Sequence, residues 1–311
     1  MIEKTYKTVV AFFVLVLSFV CSADAQNSNQ AYRIETFNTT DSPSVNIATS
    51  GGSISVIGEN SSQVRVEMYV RKNGRYMDSS DTDLSDFDIE IDSNGNTVVA
   101  EADRKRSGGW NLFGSNNNVS ISFVVYAPQF SSISGNTSGG SVSAENISNI
   151  VSLRTSGGTV NLKNLEGEID ARTSGGSINI ENVSGTLSGR TSGGSVSAYN
   201  VDGVADLRTS GGSIRLEDIS ARMSARTSGG SIRADFLTLV DDIDLQTSGG
   251  SITIDIENAS DFNLDLRGNR VNTELRNFTG EFERDHIEGR IGNGGPVITA
   301  RTSGGSVNLD Y

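Results

Sequence analysis

The tetrapeptide Thr-Ser-Gly-Gly begins at Thr49, Thr137, Thr155, Thr173, Thr191, Thr209, Thr227, Thr247 and Thr302, and every step from Thr137 to Thr227 is 18 residues. A fixed period of this length constrains the fold more than composition does, because every unit must meet its neighbours in the same way. The following step is 20, with two extra positions carried between Leu237 and Asp242.

The unit from Thr191 to Arg208 shows the pattern. Val196 and Ala198 alternate with Ser197 and Tyr199, and Ala205 and Leu207 alternate with Val204, Asp206 and Arg208. A period of two is the mark of a β-strand. Gly193-Gly194 marks one turn, where glycine is expected for its tolerance of positive φ, and Asn200 to Gly203 marks the other. Hairpins would place equivalent residues on alternate sheets. Stacked coils place them in columns, each rung about 4.8 Å above the last. Three columns are then inward and apolar: Val142, Val160, Ile178, Val196, Ile214, Ile232; Ile147, Leu165, Val183, Val201, Ile219, Leu237; and Val151, Ile169, Leu187, Ala205, Met223.

Polar columns fit the same stacking. Asn146, Asn164, Asn182, Asn200 and Asp218 repeat at a corner, where side-chain amides can bond from rung to rung. The threonine column continues the alternation after residues such as Leu207, so its hydroxyls face inward and can satisfy turn backbone groups. The expected fold is an all-β, single-stranded β-solenoid, parallel β-helix-like, with about 18 residues per rung and an irregular β cap at the N-terminal end.

The chain divides into four parts on this reading: a signal peptide at 1–25, an irregular N-terminal β region at 26–130, regular repeats at 131–254, and irregular C-terminal coils with a final repeat at 255–311. Lys4 and Lys7 followed by the apolar run Val9 to Val20 are too short for a membrane span and read as an export leader, cleaved after Ala23-Asp24-Ala25. Lipoprotein anchoring through Cys21 is the rival, opposed by bulky Phe19 and Val20. Cleavage removes the only cysteine, so the mature chain has no disulfide. Its expected place is the periplasm, the cell surface or the extracellular space.

In the N-terminal region Val64, Val66, Met68 and Val70 alternate, as do Val119, Ile121, Phe123 and Val125. Polar loops are expected at 72–86 and 103–118, the second carrying Trp110, a candidate contact for a sugar ring or a partner. Only Tyr311 follows the final repeat after Asp310, so that end is expected to lack a dedicated cap and to be free to pair with another copy.

The net charge of −13 opposes nucleic-acid binding, which needs a basic face. No cofactor motif is present: the glycine pairs recur at every rung, as turns require and phosphate loops do not. His286 is the only histidine, which rules out a His-rich metal site. Its context reads as a surface loop ill-suited to a Ser-His-Asp triad. No catalytic, cofactor-binding or metal residues are therefore assigned. The arginine column Arg154, Arg172, Arg190, Arg208 and Arg226 is the most distinctive outer feature. Either neighbouring aspartates and solvent screen it, or it is an anion-binding stripe for acidic glycans. Asp170, Asp206 and Asp244 lie on the same side but alternate with serines. That spacing stands at the wide limit for a polysaccharide-cleaving carboxylate pair, the enzyme alternative (a lyase or hydrolase).

Phe123-Val-Val-Tyr-Ala-Pro128, the serial Thr-Ser-Gly-Gly-[Ser/Thr]-[Val/Ile] steps and Gly292-Asn-Gly-Gly-Pro-Val-Ile298 resemble the bacterial putative-adhesin family of β-strand-repeat proteins, a domain of unknown function. The resemblance covers nearly all of the mature chain. It implies a non-catalytic, adhesin-like surface scaffold and carries over no catalytic residue; the partners expected are cell-surface components, acidic glycans by way of the arginine column, or another copy of the chain by way of the final repeat.

Overall fold

Side chains that alternate inward and outward can share one core only if neighbouring rungs pair in register, and the 18-residue offset achieves this. In the computed structural model, which describes residues 31–79, 83–105, 119–257 and 259–311, five long strands carry the repeat. The chain enters them through β1 (Arg33–Asn38), β2 (Ser44–Thr49), β3 (Ile54–Glu59), β4 (Gln63–Lys72), β5 (Arg75–Tyr76), β6 (Phe87–Asn94), β7 (Thr97–Arg104), β8 (Val119–Pro128) and β9 (Ser132–Thr137). The long strands are β10 (Val142–Thr155), β11 (Val160–Arg172), β12 (Ile178–Arg190), β13 (Val196–Arg208) and β14 (Ile214–Thr227). Each pairs in parallel with the next, Val160 opposite Ile178 and Arg172 opposite Arg190, so like residues touch like. The three inward columns are buried throughout with one exception.

That exception is Leu237. It stands exposed, and Phe236 fills its place opposite Ile219, because the register shifts in β15 (Ile232–Phe236). The extra residues are thereby absorbed without breaking the core.

The Thr-Ser-Gly-Gly corner differs from expectation in its cause. Neither Gly193 nor Gly194 has positive φ. A Cβ on Gly194 would lie 2.1 Å from the Gly176 carbonyl oxygen of the rung below. Glycine is required there by close stacking. The Thr191 hydroxyl donates to that same oxygen at 2.7 Å and accepts from the Gly194 N–H. The left-handed backbone sits instead at the other corner, at Asn146, Asn164, Asn182, Asn200 and Asp218. Amide-to-amide hydrogen bonds of 2.9–3.0 Å run up the four asparagines. Strand pairing resumes immediately beyond this corner, so it bends the ladder without ending it.

Both ends stack out of chain order. At the N-terminal end β2 and β3 lie between the repeats and the later strands β7 and β8, and Thr49 pairs with Thr137. Antiparallel β6 covers β7, while β4 and then β1 cover β8. The C-terminal end mirrors this with β16 (Ile243–Thr247), β17 (Ile252–Ile256), β18 (Phe262–Arg267), β19 (Arg270–Asn272), β20 (Phe278–Phe282), β21 (His286–Ile291), β22 (Val297–Thr302) and β23 (Ser306–Asp310). The final repeat is not an open end. β22 is held between β16 and β18, and β23 between β17 and β19. Antiparallel β21 and then β20 cover β18. The expectation of an uncapped C-terminal rung, free to pair with another copy, is therefore overturned. A strand pair late in sequence takes an inner position, and the irregular strands before it form the cap.

Candidate functional site

Outward residues of parallel in-register strands also form columns, and the arginine column is continuous with the cap. Arg154, Arg172, Arg190, Arg208 and Arg226 are followed by Gln246, Arg301 and Arg267. Two residues earlier in each strand runs Ser152, Asp170, Ser188, Asp206, Ser224, Asp244, Thr299 and Asp265. An aspartate thus appears at every second rung, flanked by hydroxyl residues.

Each carboxylate serves two neighbours. Asp170 accepts from Arg154 and Arg172, both at 3.1 Å. Asp206 accepts from Arg190 and Arg208, both at 2.9 Å. Asp244 holds Arg226 and Gln246, and Asp265 holds Arg267 and Arg301. Burial works to raise the Asp206 pKa, but hydrogen bonds from Arg208 and Arg190 and their charges outweigh it, and the net direction is downward. Asp265 behaves in the same way through Arg301 and Arg267. Asp206 and Asp265 are thereby held as anions. The arginines remain 36–54% exposed, so their alkyl stems cover the sheet while part of each guanidinium stays open. Within these two columns seven arginines face four aspartates.

A different face carries the opposite sign. Glu217, Asp235, Asp255 and Asp310 lie in successive rungs. Burial and the Asp255 carboxyl beside it push the Asp235 pKa up, as like charges on stacked strands must.

His286 is on β21, not in a surface loop, and sits opposite Arg267 at the end of the stripe. Trp110 and the leader with Cys21 lie outside the described residues. The first polar loop begins with a tight hairpin at Asn73-Gly74, both with positive φ, which returns Arg75–Tyr76 onto β4. Among the described residues no helix is long and apolar enough to cross a membrane.

The sequence exposed the arginine column but not its extension. The spacing placed Gln246 on the same side, but Arg301 and Arg267 are separated from it by irregular chain, and only the Thr-Ser-Gly-Gly after Arg301 signalled where that arginine belongs.

A family model described as Toastrack DUF4097 matches residues 59–310. Among curated proteins none matches the chain. Among solved structures, a protein from Bacteroides fragilis named as a putative adhesin is similar at 14% identity and TM-score 0.41, with 89% of this chain and 96% of that one covered. A protein from Parabacteroides distasonis named as a putative lipid binding protein is similar at 13% identity and TM-score 0.41, with 90% and 96% covered. A Clostridium sporogenes protein named as a putative cell adhesion protein is similar at 11% identity and TM-score 0.22, with 89% and 98% covered.

Proposed function

We propose that this chain, which belongs to the Toastrack family, is an exported, non-catalytic binding scaffold that meets acidic polysaccharide at a cell surface through its arginine–aspartate stripe. The observation that carries the reading is the excess of half-exposed guanidiniums along a rigid, regularly spaced face. Guanidinium forks pair well with carboxylate or sulfate groups, and a repeated ligand can engage several at once. The aspartates hold the arginines in place and relieve repulsion between like charges about 4.8 Å apart. Exposed pairs of this kind contribute only about 0–1 kcal/mol each to folding, so stability alone gives little reason for the ladder.

The same geometry disfavours carbohydrate cleavage. Asp170 and Asp206 lie two rungs apart, about 10 Å by strand spacing. Both are bound to arginine on two sides, and Asp206 is held below the usual carboxylate range. A general acid needs the reverse, a carboxyl kept protonated by its surroundings. Export rests on the leader at 1–25.

The test is retention of the mature chain on acidic and neutral polysaccharides, with reducing ends assayed in the same incubation. Salt-sensitive retention on the acidic polymers without new reducing ends is expected. Retention should be lost when Arg172, Arg190 and Arg208 are all replaced by Gln. New reducing ends, or undiminished retention of the triple variant, would overturn the proposal.

A further inference from the structure

The stripe ends where β21 crosses it in the antiparallel direction, and there it changes chemistry. In β18, Phe262, Leu264 and Leu266 point into the core, leaving Asp265 and Arg267 outward. In β21, Ile287 and Ile291 point inward, leaving His286 and Glu288 outward. The register sets Glu288 opposite Asp265 and His286 opposite Arg267. One imidazole and two carboxylates therefore converge on one outer face of two rigid strands.

We propose that Asp265, His286 and Glu288 bind a transition-metal dication, with zinc the ion that fits. The Nε2 atom of His286 is buried and has no hydrogen-bond partner. It lies 3.6 Å from Asp265 Oδ1 and 3.4 Å from Glu288 Oε2, too far to be bonded well to either. The three ligand atoms all fall within 4.8 Å of one another. Tetrahedral zinc, with ligands at about 2.0–2.2 Å, holds them about 3.3–3.6 Å apart, so both distances from Nε2 match edges of that tetrahedron. Three protein ligands leave a fourth position for water.

Two arginines bear on the site, and they act differently. Arg301 bonds the far oxygen of Asp265, Oδ2, and fixes that carboxylate from outside. Arg267 competes with a metal: its Nε bonds Asp265 Oδ1 at 2.9 Å, and its NH2 stands 3.6 Å from Glu288 Oε2. It is half-exposed and can swing into solvent as an ion enters. The imidazole selects against calcium and magnesium, which prefer all-oxygen shells. A bound ion would tie the β21 layer of the cap to β18. This inference stands independently of glycan binding.

Because His286 is the only histidine, its imidazole resonances in the untagged chain report this site alone. Titration with zinc chloride at pH 7.5, followed by NMR and calorimetry, should move those resonances saturably at one ion per chain. Calcium chloride should leave them in place. His286→Gln should weaken zinc binding by more than about 100-fold and Glu288→Gln by about 10–100-fold. Arg267→Gln should tighten it by about tenfold, by removing a competing cation. If the parent's resonances move with pH but not with millimolar zinc, the occupant is a proton and the proposal fails. It fails equally if His286→Gln binds zinc as tightly as the parent. The parent titration decides the matter even if a variant does not fold.

Discussion

Each rung turns at two corners that look alike in sequence, both rich in small polar residues and glycine, yet they are built on different constraints. At the Thr-Ser-Gly-Gly corner no residue has positive φ and the limit is space: a Cβ on Gly194 would fall 2.1 Å from the carbonyl oxygen of Gly176 in the rung below. At the asparagine corner the limit on the asparagines is the backbone angle, with φ of 52–60° from Asn146 to Asp218, while Gly185 and Gly203, three residues on, combine positive φ with backbone 2.3 Å from where a Cβ would lie. The first corner excludes a side chain. The second demands one that tolerates left-handed geometry and repays it with an amide ladder. Glycine in a repeat consensus therefore does not by itself identify a left-handed turn.

The contrast breaks first at Gly194→Ala. Its methyl group would meet backbone on a neighbouring rung that cannot give way, and a loss of at least about 3 kcal/mol is expected in denaturant unfolding. Gly193→Ala is the control, since the nearest atoms to its Cβ would lie at 3.4–3.7 Å, and its stability should stay within about 0.5 kcal/mol of the parent. Equal effects of the two would refute the stacking account. Thr191→Val keeps the shape but strips the Gly176 carbonyl of its hydroxyl donor, and should cost about 1–3 kcal/mol by the same measurement. At the other corner Asn182→Ala should cost about 1–2 kcal/mol, and Asn182→Gly should recover the backbone share of that loss, leaving only the missing amide bonds. Were Gly no better than Ala there, backbone angle would not be the governing constraint.

Away from both corners the smallest effect is pH-dependent. Asp206 has a folded pKa below the ordinary 3.8, so its contribution is present above that value and is lost as pH falls through the folded pKa. Asp206→Asn should therefore be less stable than the parent at pH 7, by under about 1 kcal/mol for so exposed a ladder, and the gap should close below about pH 4. A gap that does not narrow as pH falls below the ordinary carboxylate value would show that charge is not its source.

How much of this was legible follows from where the environment repeats. Between Thr137 and Thr227 every rung sees the same neighbours, so a column such as Val142, Val160 and Ile178 could be read from spacing alone. The rung-to-rung bonds of the asparagines and the inward threonines were readable for the same reason. Leu237 was misplaced because a strict count cannot see a register shift, and Phe236 competes for the same site. The reason for the glycines was misjudged because a contact 18 residues away leaves no local trace. The convergence of Asp265 with His286 and Glu288 was invisible, since it depends on the antiparallel register of two strands separated by irregular chain. Only the alternation of outward polar residues around Leu266 and Ile287 hinted at it.

The seating of β22 and β23 between strands made earlier has a consequence for how the molecule is assembled. A chain emerging N-terminus first can add layer upon layer through β17, but the layer that pairs with β16 and β17 is synthesised only after the cap strands that cover it. Until residues 297–310 arrive, β16 and β17 present bare edges that any extended peptide can join. Completion at this end is an insertion rather than a deposition, which makes it the step most exposed to misassembly during folding.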